Sequence, residues 1–459
     1  MSATDTKDIL LGKIRNGREM TMGEQARLAL ILSVPAILAQ LSTVLMSYID
    51  SAMVGNLGAA PAASIGLVST STWIFGGFCM ATSSGFSVQV AHLIGANEFA
   101  KARNVLRKAL TSVLIFSISL AAAGLCIAAR LPGWLGGSPD INPDAAAYFT
   151  IYSAFLPLMQ ICFTSGSMLQ ASGNMKLPSM LNMMMCILDV AFNYIFIYVM
   201  GMGVRGAALG TGLAEGVTAV LMLYFLAVRS PELRLTQDRG DFIPDRECLK
   251  RAFGISGPMW LQNIISRGAY IASTIIVAPL GTIAIAANSF AITAESFCYM
   301  PGYGIEDAST TLIGQSLGAG RQQLARRFAA INISLGAGLM GVLGIVMYIL
   351  APQMMGILSS DPEVVALGAR VLRIEAFAEL MYGASIVAYG CCVGGGDTLV
   401  PSALNLISMW VVRIGLAIVL TPAMGLAGYW LAMCIELNVR GLLFLWRIRG
   451  RKWMKLKLT

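Results

Sequence analysis

Charge is what this sequence has least of. Only 12% of its 459 residues are Asp, Glu, Lys or Arg, about half the share of a typical soluble chain. With 56% apolar residues and a mean hydropathy of +0.72, that scarcity excludes an ordinary soluble enzyme and implies an all-α polytopic membrane protein. Histidine is scarcer still: His92 is the only one, and it reads as structural rather than as a pH sensor. Nine cysteines are scattered, mostly through apolar stretches, with no CxxC spacing, so neither a zinc site nor a disulfide framework is implied. The glycine run VGGGDT has no Gly-Lys-Ser/Thr after it and reads as a turn, not a phosphate loop. No ATP motif and no nucleophile–base constellation is present. The chain reads as no enzyme and as needing no cofactor beyond a coupling ion. The N-terminal stretch lacks the short apolar core and cleavage site of a signal peptide, so the first span is expected to act as an uncleaved insertion signal.

What the chain does have is apolar runs with short polar breaks. They place spans near 27–53, 63–92, 107–130, 145–172, 178–200 and 204–229, then 252–279, 284–316, 328–351, 365–394, 401–421 and 424–446. About twelve helices follow, several longer than the roughly 20 residues that cross a bilayer. The polar stretch 230–250 between the sixth and seventh spans reads as a linker. The net charge of +8 forms no basic domain and argues for no nucleic-acid partner. Lys13, Arg15, Arg18, Lys101, Arg103, Arg107, Lys108, Lys176, Arg239, Arg246, Lys250, Arg251, Arg321, Arg326, Arg327 and the basic tail fall in loops on one side. The other side is nearly bare, apart from Arg130, Arg205 and Arg370. The positive-inside bias then puts both termini in the cytoplasm, in a cell (plasma or inner) membrane.

An internal repeat organises the chain. A shift of 223 residues lays Pro35 on Pro258, Leu57-Gly58 on Leu280-Gly281, Gly95-Ala96 on Gly318-Ala319, and Gly173, Pro178 and Asn182 on Gly396, Pro401 and Asn405. A slip of one residue brings Gly203 and Gly206 onto Gly425 and Gly428. Each repeat holds six spans, an even number, so both insert the same way up. The expected architecture is an N-lobe over 1–229, the linker 230–250 and a C-lobe over 251–459. A pseudo-two-fold axis along the membrane normal should relate the lobes.

Asp50 is the residue around which this frame makes sense. No charge lies nearer to it in sequence than Arg27 and His92, and a lone carboxylate inside a span is costly and marks function. Asp189 and Asn193 lie four apart on one face of span 5. Asn193 is 15 residues beyond Pro178, about 22 Å along a helix. Thr211 lies eight residues into span 6, and Glu215 one turn deeper. All can reach one depth in the outer half of the N-lobe. Two carboxylates, an amide and a hydroxyl suit Na+, since hard cations take oxygen ligands. Two close carboxylates equally suit carrying a proton. Helix-packing polar groups satisfied across helices remain the alternative.

These landmarks together resemble the multidrug and toxic compound extrusion (MATE) family. The matching residues are P-x14-D-x3-V-G-x-L-G from Pro35 to Gly58, the Gly95-Ala96 segment, the turn from Gly173 to Pro178, GVRGAALGT from Gly203, and MPGYGIEDASTTLIGQSLGAG from Met300. The resemblance covers nearly the whole chain. It implies a secondary antiporter that exports amphipathic organic cations or drugs in exchange for Na+ or H+ by rocking of two six-helix lobes. It carries cation binding to Asp50, Asn193 and Thr211 and covers Asp189. One departure is visible: the family members in question carry Asn first and Asp four later, whereas here Asp189 precedes Asn193. Another branch has an acidic residue in span 7; Arg267 stands there instead, and Glu379 lies about a turn from the acidic position of span 10, which argues against a C-lobe cation site of that kind.

The remaining buried charges have two readings. Arg267, Glu295, Glu379 and Arg413, with Arg373, Glu375 and Glu436, either form structural ion pairs such as Arg267 with Glu295 or Glu379, or line a cavity for substrate together with Glu215. Cavity arginines would also suit a flippase of lipid-linked precursors with an anionic head group, a second reading; a channel is a third. The expected surroundings are the lipid bilayer and a small organic substrate, with the protein a monomer. The topology has a direct check. Single cysteines in a cysteine-free background should react with an impermeant thiol reagent from outside at 140–145 and fail to react at 239–248. Labelling of the linker in intact cells would overturn the orientation.

Overall fold

The computed structural model describes residues 3–454, and every regular element in it is helical. Lys455 and Lys457 of the basic tail lie outside the described residues. The N-terminal repeat comprises α2 (Met22–Gly55), α3 (Ala59–Gly95), α4 (Phe99–Ala128), the single turn α5 (Leu131–Trp134), α6 (Asn142–Ala171), α7 (Lys176–Tyr194) and α8 (Gly203–Tyr224), preceded by α1 (Ala3–Arg15). The second repeat comprises α9 (Arg246–Val277), α10 (Thr282–Gly318), α11 (Gln322–Leu358), α12 (Pro362–Glu375), α13 (Glu379–Gly394), α14 (Leu399–Ile407), α15 (Gly415–Met424) and α16 (Leu426–Arg449). Wider π-helical turns extend α7 over Ile195–Val199 and α8 over Phe225–Arg229, and join α14 to α15 over Ser408–Ile414.

Among the described residues ten spans are long and apolar enough to cross a membrane, and α12 with α13, bent by 60° across a short break, supplies an eleventh. The 24-residue α16 is not among these and carries Glu436 and Arg440 in its middle. Counting it, the twelve spans lie where the apolar runs put them. Pro35, Pro157, Pro258, Pro301 and Pro352 sit inside helices. In hydrocarbon no other backbone conformation satisfies its own hydrogen bonds, so the helix absorbs the proline.

The repeat is written into the backbone as well as the sequence. Left-handed torsions recur at the same offset: Gly58 and Gly281 at φ 116° and 94°, Gly173 and Gly396 at 89° and 76°, Asn97 and Gly320 at 60° and 73°. Gly203 and Gly425, at 55° and 64°, follow with the one-residue slip. Packing partners repeat too. In the first repeat α6 packs on α3, α4 and α8; in the second α13 packs on α10, α11 and α16.

Compact packing divides the chain at points inside two helices. One unit is Ser42–Trp260; the other joins the chain up to Leu41 to the chain from Leu261 onward. The start of α2 therefore belongs with the second repeat and the start of α9 with the first. Glycines mark both docking points. A Cβ on Gly304 of α10 would lie 2.5 Å from the Ile37 nitrogen, and one on Gly85 of α3 would lie 2.7 Å from the Ala252 carbonyl oxygen. Such close approach is how helices associate where burial in water gives no driving force.

Two polar segments prove more ordered than their composition suggests. The N-terminal arm forms α1, which buries Leu10, Leu11 and Ile14 and packs on α10. The Lys13 ammonium pairs with Glu24 at 2.5 Å, and the Arg321 guanidinium donates to the Lys13 carbonyl. The linker is pinned to α4. Arg103 donates to Asp238, to the Glu232 carbonyl and to Gln237, while Arg107 donates to the carbonyls of Leu235 and Asp238. Leu233 is fully buried beneath. Asp245 closes the linker by accepting from the Cys248 amide at 2.8 Å at the start of α9 and from Lys108. That Lys108 bond, ahead of the Cys248 amide, holds the Asp245 carboxyl below its usual value. A depressed carboxylate adds stability above its unfolded pKa and loses it as pH falls through the folded one. Asp245→Asn keeps the helix cap and removes the charge. Its thermal midpoint should lie slightly below wild type at pH 7, by well under about 1 kcal/mol for so exposed a pair. The gap should close below about pH 4. A gap that persists at acid pH would place the effect elsewhere.

Candidate cation-binding site

The first repeat gathers its polar groups where α2, α7 and α8 meet. Asp50 stands one turn before the end of α2 and is half-buried. Asp189 and Asn193 of α7 are each 1% exposed. The Asn193 amide nitrogen donates to both carboxylates, to Asp50 Oδ1 at 3.0 Å and to Asp189 Oδ2 at 3.1 Å. Thr211 of α8 lies beside the Asp189 carboxylate. One amide thus bridges two acids on different helices, its own residue lying 143 positions from Asp50 and four from Asp189. The other oxygens of the pair, Asp189 Oδ1 and Asn193 Oδ1, are buried and accept no hydrogen bond.

Local structure explains why α7 and α8 can do this. A Cβ on Gly210 would fall 2.1 Å from Asn193 Oδ1 and 2.9 Å from its backbone nitrogen. A Cβ on Gly206, one turn earlier, would fall 2.8 Å from the Phe196 carbonyl in the π-helical turn. The missing side chains let α8 press onto α7 and leave the space that Asn193 occupies. The Tyr198 hydroxyl then donates to the Met53 carbonyl at 2.8 Å, fastening the end of α7 to the end of α2. Val54, Ile197 and Ala207 fill the apolar floor beside it.

Chemically the cluster offers oxygen donors and no thiol or imidazole. Among the described residues no three His, Cys, Asp or Glu side chains are grouped to hold a metal. Two carboxylates, an amide oxygen and a hydroxyl match a hard monovalent cation or a proton rather than a transition metal. Glu215 sits one turn along α8 from Thr211, half-buried, and Asp189 is the charge that acts on it.

The charged residues of the second repeat are arranged differently from the sequence expectation. Arg267 does not pair with Glu295 or Glu379; its guanidinium lies over the Tyr270 ring, 5.5 Å from the centroid. The ion pair forms instead between Arg413 and Glu436, with Arg413 Nε and Nη2 donating to Glu436 Oε2 at 3.0 and 2.7 Å. Arg440 joins it, donating to Glu436 Oε1 at 2.7 Å and to the Ser408 hydroxyl. Ser408 and Arg413 both lie on the π-helical turn between α14 and α15, whose wider winding turns Arg413 toward α16. Glu295 is buried on α10. Glu375 and Glu379, on either side of the α12–α13 break, are fully buried and their oxygens accept no hydrogen bond. Arg440 and Gly210 were not singled out from sequence. Arg440 carried a signal, being four residues after Glu436, and Gly210 lies inside the GVRGAALGT stretch, one residue before Thr211.

Comparison with known proteins bears on what this frame is. The family model MatE matches residues 35–195 and 258–419. Its two segments begin on the repeat-related prolines Pro35 and Pro258. The chain belongs to the MATE family. A relative in Chromobacterium violaceum, a probable multidrug resistance protein NorM, is 25% identical over 434 residues, covering 91% of this chain and 92% of that protein. The multidrug resistance protein MdtK of Yersinia pestis is 24% identical over 444 residues, covering 93% and 95%. Among solved structures, a MATE in the straight conformation superposes with a TM-score of 0.88 at 21% identity, covering 94% of this chain and 97% of that one. The Vibrio cholerae MATE transporter VcmN in its bent form gives 0.85 at 20%, covering 95% and 98%. Those likenesses fix the MATE fold for this chain, a multi-pass membrane protein.

The seam between α7 and α8 predicts a sharp steric effect in this MATE protein. Gly210→Ala should lower the stability of the detergent-purified transporter by about 1–3 kcal/mol, the usual cost of overpacking. Gly133→Ala, where nothing lies within 4 Å, should leave it unchanged. Equal melting of both variants would mean that the seam is not tightly packed.

Proposed function

We propose that this protein is a secondary active antiporter that exports amphipathic organic cations or drugs in exchange for Na+ or H+. The observation that carries the reading is the Asn193 amide bridging Asp50 and Asp189, with two buried oxygens of the same cluster accepting no hydrogen bond. Ionised carboxylates at such a place are tolerable only with a bound cation or proton. Asp50, Asp189, Asn193 and Thr211 would take the coupling cation through their oxygens. Occupancy would then bias the protein between two exposures, in the cell membrane with both termini cytoplasmic, by rocking of two six-helix lobes. The coupling ion is the sole small partner besides the organic substrate and the bilayer, and a monomer suffices. The multidrug resistance names of the relatives support drugs as the exported class. The flippase alternative draws less support, since Arg413, one of the cationic side chains it needs, is already engaged in an ion pair with Glu436.

Asp50→Asn preserves shape and removes the charge. Expression and folding should survive while drug resistance and ion-driven dye efflux in inverted vesicles are lost. Asp189→Asn should act in the same direction but more weakly, because Asp50 still offers a carboxylate. Pulses of Na+ and jumps of pH applied separately would identify the ion. An Asp50→Asn protein that still concentrates dye with wild-type ion dependence would exclude this cluster as the coupling centre.

A further inference from the structure

We propose that a cavity between the start of α2 and the start of α11 binds a phosphoethanolamine group, with the phosphate at the head of α11 and the ammonium beside Glu19 and Gln25. All of the lining residues belong to the compact unit that does not contain Asp50, so the site is separate from the coupling cluster.

The cavity measures about 580 Å³. One wall is Glu19, Met20 and Gln25; the other runs from Gly320 to Leu324 and includes Arg327. The second wall seeks an anion. Gly320 turns the corner before α11 at φ 73°. The Gly320 and Arg321 amides donate to the Leu317 and Ser316 carbonyls, both at 2.9 Å. The next bond is that of the Ala325 amide to the Arg321 carbonyl at 3.0 Å, and no side chain caps the helix. Among the described residues the amides of Gln322, Gln323 and Leu324 therefore find no acceptor. A helix start of this kind carries partial positive charge and takes a phosphate readily.

The residue at the cap adds to that charge. The repeat-related cap of α4 is Glu98, which pairs with Lys101 at 2.8 Å. At the same offset of 223 residues α11 has Arg321. Its guanidinium is held by the Lys13 carbonyl at 3.0 Å, and Arg327 lines the same cavity. Cations at the positive end of a helix repel it; a phosphate among them reverses the sign of the interaction.

The first wall calls for a donor. Gln25 is 0% exposed. Its Nε2 donates to the Met20 carbonyl at 2.9 Å, which fixes the amide's orientation, because a carbonyl only accepts. Oε1 is left buried without a donor, a costly arrangement that native chains seldom keep. Glu19 is the one carboxylate among the residues that line the cavity. A carbonyl oxygen and a carboxylate suit an ammonium, as free amides and guanidinium groups suit a phosphate. Phosphoethanolamine carries both charges and matches both walls, whereas inorganic phosphate matches one.

The group could be a lipid headgroup or a soluble phosphate ester, and the test separates them. Full-length protein in dodecyl maltoside is titrated with dioctanoyl phosphatidylethanolamine or dioctanoyl phosphatidylcholine. Native mass spectrometry and the thermal midpoint report binding. The choline lipid has the same phosphate but no N–H, and should bind about tenfold more weakly, the effect of losing one charge-assisted hydrogen bond. Arg327 and Glu19 are exposed, so their substitution spares the fold. Arg327→Gln should weaken both lipids. Glu19→Gln should weaken the ethanolamine lipid alone, down to the choline level, a split that a merely structural role would not produce. Excess phosphoethanolamine that displaces the lipid identifies a soluble ligand; failure to displace it identifies the headgroup. Equal binding of the two lipids to wild type overturns the proposal, as does unchanged binding in either variant. Displacement by inorganic phosphate as effective as by phosphoethanolamine also overturns it, since that outcome leaves an anion site only.

Discussion

A carboxylate within the bilayer must be given a donor or a counter-charge, and this protein gives two carboxylates a single amide. Asp50 and Asp189 come from helices far apart in sequence, and Asn193 donates to both. Everything nearby serves that contact. The π-helical turn after Tyr194 and the hydroxyl of Tyr198 fasten α7 to α2. Gly206 and Gly210 bring α8 near enough for Thr211 to stand beside Asp189. A bridge of one amide supplies the cluster with a donor and no counter-charge, and the proposed coupling role rests on that deficit.

The second repeat has the same order of helices but settles its charges in another way. Arg413 and Arg440 share Glu436 in a buried triad. Among the described residues no such triad stands around Asp50. Two copies of one framework thus carry different electrical interiors, one with a buried Arg–Glu–Arg triad and the unbonded Glu375 and Glu379, the other with two carboxylates joined through an amide. Duplication supplied the scaffold twice, and divergence of a few buried side chains gave the copies unlike chemistry.

Much of this was legible in the residues. Long apolar runs in a chain with so little charge mark the spans, because hydrocarbon tolerates little else. The acids stand out for the same reason, and helical spacing alone puts Asp189 and Asn193 on one face. The repeat was readable from glycine and proline, which constrain torsion angles rather than surfaces. What was not legible depends on rotation and reach. Whether Arg267 or Arg413 meets a glutamate is decided by the π-helical turn at Ser408–Ile414 and by the break between α12 and α13, neither of which hydropathy reveals. The linker looked merely polar, yet Arg103 and Arg107 hold it through backbone carbonyls, which have no side-chain signature.

The left-handed turns carry a consequence for descent. Asn97 and Gly320 differ in side chain but share one backbone conformation, since asparagine is among the few residues that tolerate it at modest cost. Selection there acted on a torsion angle and was indifferent to the letter that supplied it. A residue at such a corner must accept the torsion, while one on an apolar outer surface need only stay apolar. Ancestry in such a chain is therefore recorded at its bends rather than along its walls, and distant kin at a fifth to a quarter identity can still trace the same path through the membrane.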